Sequence, residues 1–177
     1  MGKGLWSLFV RYLIILVAGL GNLWVFYKLF TFPTIQAVSS LLSLFSRVYV
    51  FGNIIYFQSI KIELISACIA GTGFYLLFIL ILSVPGINFM KRVKVLLFSF
   101  ACFFIFNVAR IIFLVLIYNS LYFDVMHLFL WYFVSTLLVI GVWILDIKLF
   151  KIRKIPIYSD VRELIKCTRK PGKRLRR

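Results

Sequence analysis

The sequence predicts an all-α integral membrane bundle of about four transmembrane helices, with an external amphipathic helix and a small β-hairpin. Three observations carry that prediction. The 177 residues are 63% hydrophobic and 19% aromatic, with a mean hydropathy of +1.05, well above the apolar share of a soluble domain. Four stretches, 12–30, 68–86, 95–118 and 126–147, reach about the 20 apolar residues that cross a bilayer as a helix. The basic residues gather between and after these stretches rather than within them.

The elements follow in chain order. Lys3 precedes an apolar run with a weak cleavage-like site, VAG, at 17–19. Arg11 interrupts that run and it continues to Phe30, so an uncleaved signal anchor is expected. The start lacks the Ser/Thr of a myristoylation motif and the end lacks a CaaX box, so attachment is expected through spans. Over 33–47, Ile35, Val38, Leu41, Leu42 and Phe45 recur at helical spacing while Gln36, Ser39, Ser40 and Ser43 fall elsewhere. That pattern predicts an amphipathic helix lying on the outer surface. A competing reading makes 32–50 a fifth span, against which its four serines and Gln36 weigh. Residues 48–64 are β-branched and aromatic around Gly52 and Asn53, the pattern of a small hairpin. Pro85 and Gly86 then break the chain before a basic hinge of Lys91, Arg92 and Lys94.

One polytopic domain is expected over 1–147, with an external segment at 32–67, followed by a basic cytoplasmic tail over 148–177. No linker, low-complexity tract or repeat divides it. The net charge of +16 is concentrated in that tail, where twelve Lys/Arg face only Asp160 and Glu163. A basic stretch directly after a span marks the cytoplasmic side of a cell membrane and favours anionic lipids. Nucleic acid is not an expected partner, since no aromatic interleaving or nucleic-acid-binding motif accompanies the charge. With the tail inside, parity places the start of the second span, the end of the third and the start of the fourth at the extracytoplasmic face.

Three cysteines at 68, 102 and 167 and a single histidine make no zinc pattern, and no metal or cofactor is expected. Cys102 reads as a small apolar filler in mid-span, and Cys167 lies in the tail. Arg110 stands in the apolar run FIFNVARIIFLVLIY. An arginine there costs about 2.5–3.5 kcal/mol to insert, so it is expected to face the bundle interior; snorkelling to headgroups or pairing with Asp124 is the alternative. Asn107, one turn earlier on the same face, is placed either to orient the guanidinium or to pack helices.

His127 opens the fourth span, where an interfacial histidine satisfied by headgroups or water is the bland alternative. Parity thus places Cys68, Arg110 and His127 at one membrane depth on three different spans. Their chemistry suits acyl transfer: a thiolate nucleophile, an imidazole as general acid/base, and a guanidinium to hold an oxyanion. The small residues Ala67, Ala70, Gly71 and Gly73 are expected to let a substrate backbone approach the sulfur.

At these residues the chain resembles the exosortase/archaeosortase family of membrane cysteine transpeptidases. The likeness runs over about 32–147: an external helix with LL, the run KIELISAC, a Pro-Gly break, NVARI, and a His at the start of the last span. Family members often follow the Cys with a small hydroxyl residue and then Gly, whereas Ile69, Ala70 and Gly71 follow here. The resemblance implies Cys68 as nucleophile, Arg110 as stabiliser of the intermediate and His127 as general acid/base. It also implies substrates: secreted proteins ending in a short signature, one transmembrane helix and a basic cluster, whose new carboxyl end passes to a surface acceptor, often a lipid.

Two other classes compete. A non-enzymatic membrane scaffold or lipid-binding protein would account for the basic tail but not for three reactive residues at one depth. A channel or carrier would use Arg110 as an anion site, and inverted repeats or paired broken helices are missing from the pattern.

Overall fold

The computed structural model describes residues 2–58 and 60–152; most of the basic tail, with Cys167, lies outside the described residues. The chain begins with helices α1, Gly2–Gly19, and α2, Trp24–Ser43, bent by 64° at their junction. Gly21, Asn22 and Leu23 take φ of 73°, 55° and 60°. This left-handed run ends a helix, and Gly and Asn enter that region at the least steric cost. The span expected over 12–30 is therefore corrected to two helices with a break between them.

The amphipathic segment expected at 33–47 is likewise not a helix of its own. It is the later part of α2, which runs through Pro33 without stopping. Proline removes one N–H from the helix ladder, and the burial of Ile35, Val38 and Leu42 against the sheet and α5 carries the helix past it. That apolar stripe faces protein rather than a membrane surface, while Leu41 and Phe45 stay exposed.

The expected hairpin gains a third strand. β1 (Val48–Phe51), β2 (Ile54–Phe57) and β3 (Ile60–Glu63) form an antiparallel sheet in the order β1-β2-β3. Phe51 pairs with Ile54 across a two-residue turn at Gly52, whose φ is 60°. The second turn passes through Gln58 at φ 49°, with no Gly or Pro to announce it.

After the sheet come α3 (Ser66–Ile69), α4 (Gly71–Leu82), α5 (Phe89–Leu116), α6 (Phe123–Phe129), a π-helical turn (Leu130–Val134) and α7 (Ser135–Leu149). Among the described residues, two helices are long and apolar enough to cross a membrane: α5, with 28 residues, and the continuous 27-residue run Phe123–Leu149. The bent pair α1–α2 makes a third if it counts as one span, and Ser66–Leu82 is a shorter apolar stretch. In its most apolar window α5 is 39% buried, against 11% for Phe123–Leu149, so α5 is the central helix and the last one lies at the edge.

Lys91, Arg92 and Lys94 occupy the first turns of α5 rather than a hinge. Arg92 donates to the Val84 carbonyl at 2.7 Å, and Arg11 of α1 donates to the Leu82 carbonyl at 3.2 Å. Both cations thus meet the C-terminal end of α4, where the helix dipole concentrates negative charge. The bundle centre is aromatic: Phe30 stacks on Phe74 at 3.6 Å, and Phe103 meets Phe74 edge-on at 4.8 Å. Toward the sheet, Ile55, Phe57 and Leu64 close a second core with α2 and with Val108, Ile111 and Val115 of α5.

Candidate functional site

Cys68 lies on a single helical turn between the sheet and the bundle. α3 starts after Ile65 in extended conformation and stops at Ala70, whose φ of 55° is left-handed. A one-turn helix leaves its carbonyls without partners in the helix, and they need donors from elsewhere. α5 provides them. Asn107 Nδ2 donates to the Cys68 carbonyl at 2.9 Å and approaches that of Ile69 at 3.5 Å. Arg110 Nη2 lies 3.5 Å from both the Ala67 and the Cys68 carbonyl. Two side chains one turn apart on α5 thus hold the backbone that carries the thiol. Hydrogen bonds from a charged donor contribute about 1.5–3 kcal/mol each when well formed.

Arg110 is only 8% exposed and Asn107 2%. The guanidinium faces inward, and among the described residues no contact joins it to Asp124. Its Nη1 donates to Ser135 Oγ, which itself donates to the Leu130 carbonyl at 3.1 Å. Nε is buried and has no partner among the described residues.

Ser135 was not singled out from the sequence; the paired hydroxyls Ser135 and Thr136 inside an apolar span are the signal that could have found it. It follows directly on the π-helical turn, where the wider winding shifts the register between α6 and α7. Such bulges recur at functional sites because they re-aim side chains within an otherwise regular helix.

His127 is an exposed residue of α6, its ring stacked on Phe123 at 5.8 Å between centroids and 28° between planes. Cys68, Arg110 and His127 all line one cavity of about 190 Å³, together with Trp131 and the strand residues Ile60 to Leu64. A second, larger cavity of about 620 Å³ lies against α4 and α7 and shares Ala67, Arg110 and Trp131 with the first. Two recesses therefore meet at the guanidinium.

The small residues around Cys68 divide differently from expectation. A Cβ at Gly71 would come within 2.7 Å of the Tyr27 ring, and one at Gly73 would collide with the ring of Phe103. These glycines let α4 close on α2 and α5, and of the four small residues only Ala67 borders the thiol's cavity. Cys68 and Cys102 are both free thiols, and the described residues hold no cluster suited to a metal ion.

No family model, curated protein or solved structure matches the chain.

Proposed function

We propose that the protein is a membrane-embedded cysteine transpeptidase that removes the C-terminal sorting tails of secreted proteins. The observation that carries this reading is the shared cavity: Cys68, Arg110 and His127 come from three separate elements and line one space. The family resemblance of KIELISAC, NVARI and the histidine opening the last span supports the same assignment of roles.

In this reading the deprotonated Cys68 sulfur attacks the scissile carbonyl. The C–S bond forms, the C–N bond breaks, and protonated His127 gives its proton to the leaving amine. An acceptor hydroxyl or amine then attacks the thioester and passes its proton to His127. The C–S bond breaks and the thiolate returns. Arg110 supplies positive charge beside the developing oxyanion, from the wall that the two recesses share.

The topology belongs to the same proposal. α5 and Phe123–Leu149 are two of four spans, with the bent α1–α2 pair and Ser66–Leu82 supplying the others. The thiol faces the extracytoplasmic side of the plasma membrane, and the basic tail meets anionic lipid on the cytoplasmic side.

Co-expression with a secreted protein ending in an apolar helix and a basic cluster tests the reading by intact mass. Loss of the tail with the wild type and not with Cys68→Ala is the expected result, and any added mass identifies the acceptor. Unchanged masses across several such tails, with both proteins inserted, would return the protein to the scaffold class.

A further inference from the structure

We infer that the open edge of β3 is the docking strand for the substrate, which adds to the sheet as a fourth strand on the acyl side of the scissile bond. This rests on Cys68 being the nucleophile of a peptide substrate.

Among the described residues, the sheet order β1-β2-β3 leaves β3 with a strand neighbour on one side only. Leu64 N–H donates to the Asn53 carbonyl at 2.9 Å, and Ile62 pairs with Ile55 and Ile60 with Phe57. In an antiparallel ladder alternate residues direct both backbone groups to the same neighbour. The N–H and C=O of Lys61 and Glu63 therefore point away from β2, and among the described residues no backbone group pairs with them.

That edge opens onto the thiol. Five consecutive residues, 60–64, line the cavity that also holds Cys68, Arg110 and His127. Side chains of a strand alternate between its faces, so a recess touching five in a row runs along the edge rather than over one face. α5 forms much of the opposite wall, with Ile111, Leu114 and Val115.

An added strand lies about 4.8 Å from its neighbour, so it takes its place along the edge that the cavity follows. Unpaired N–H and C=O groups in register select a peptide backbone, as in other cases of strand addition. Exposed edges invite unwanted pairing and are usually covered or blunted; this one is four residues long and carries exposed Lys61 and Glu63, which leaves it open to a short guest. The acyl side is the part that must be held, because it stays bound through the thioester while the leaving amine departs.

The probe is a pool of pentapeptide vinyl sulfones, randomised in side chain, applied to the full-length protein in detergent with Cys68 alkylation read by mass. The thiolate adds to the vinyl carbon, and the neighbouring carbon takes the proton. Pools carrying one backbone N-methyl at a fixed position scan the pairing. N-methylation at alternate positions is expected to slow labelling about ten-fold, with the intervening positions unaffected.

Lys61→Pro removes an outward N–H without touching the β2 ladder, a position where proline is tolerated. It is expected to slow the unmethylated pool about as much, while the rate with iodoacetamide stays unchanged. Sensitivity without a period of two, or a Lys61→Pro rate equal to wild type, overturns strand docking and leaves Cys68 as nucleophile. Peptide pools that label Cys68 no faster than methyl vinyl sulfone overturn the docking and the enzyme reading together.

Discussion

α5 and α7 meet through two polar contacts, Ser99 with Asp146 and Arg110 with Ser135, set eleven residues apart on each helix. At 1.5 Å per residue this is about 16 Å, or three turns, so two antiparallel helices present the same kind of contact at two depths. The first is closed. Asp146 is fully buried, and the Ser99 hydroxyl lies 2.6 Å from its Oδ2 and 2.7 Å from the Val95 carbonyl. The second is open, because Arg110 also holds the carbonyls of α3 and lines two cavities. Hydrogen bonds between membrane helices commonly serve as glue. What separates a site from a clamp here is a third strand of chain, carrying a thiol, drawn up to one contact and not to the other.

The largest expected difference between the two contacts lies in chemistry. Cys68→Ala should reduce tail removal by more than about a thousand-fold, as loss of a covalent nucleophile does. Ser99→Ala should leave tail removal per inserted molecule within about two-fold of wild type. A large loss from Ser99→Ala in the same mass assay would erase the distinction.

Next come the partners of the thiol. His127→Gln is expected to lower the rate by about a hundred-fold or more while leaving the amount of inserted protein unchanged. Arg110→Lys keeps the charge but loses the fork that reaches Ser135 and two carbonyls together, and should cost about a hundred-fold. Following both by single-turnover kinetics separates weakened binding from slower chemistry. Near-normal rates in either variant would remove that residue from the reaction.

The smallest effects are on stability, where the order reverses. Ser99→Ala leaves Asp146 without its hydroxyl partner and should destabilise the bundle by about 1–3 kcal/mol in denaturant titration. Ser135→Ala should cost nearer the roughly 0.6 kcal/mol typical of interhelical hydrogen bonds, since Arg110 keeps its carbonyl partners. Equal losses would mean that the open contact is a clamp as well.

The two helices long and apolar enough to cross a membrane were legible because apolar length is itself the physical requirement for crossing a bilayer. Parity along the chain was also enough to put Cys68, Arg110 and His127 on a common list, and the structure places all three on one cavity. The break at 20–23 was not legible, because Gly21 and Asn22 sit inside an apolar run and a hydropathy average passes over them. The third strand was hidden by a turn at Gln58 without glycine or proline. Gly71 and Gly73 have a role that the sequence did not reveal, since only the positions of Tyr27 and Phe103 show that small residues there serve helix contact. Ser135 depends partly on the same kind of information: its hydroxyl beside that of Thr136 stands out in an apolar run, but only the fold shows that its partner is an arginine 25 residues earlier.

The π-helical turn at Leu130–Val134 puts the last span in two rotational phases, one for α7 packed on α5 and one for α6. Removing any one residue from 130–134 would wind the turn back to a regular helix and swing α6 by about 100° around the common axis. Hydropathy and length would hardly change, yet His127 would leave the cavity while Ser135 stayed on Arg110. In the proposed reading, this stretch is expected to tolerate substitutions on its exposed face far better than a change of one in its residue count, and the spacing between histidine and serine becomes the quantity to keep.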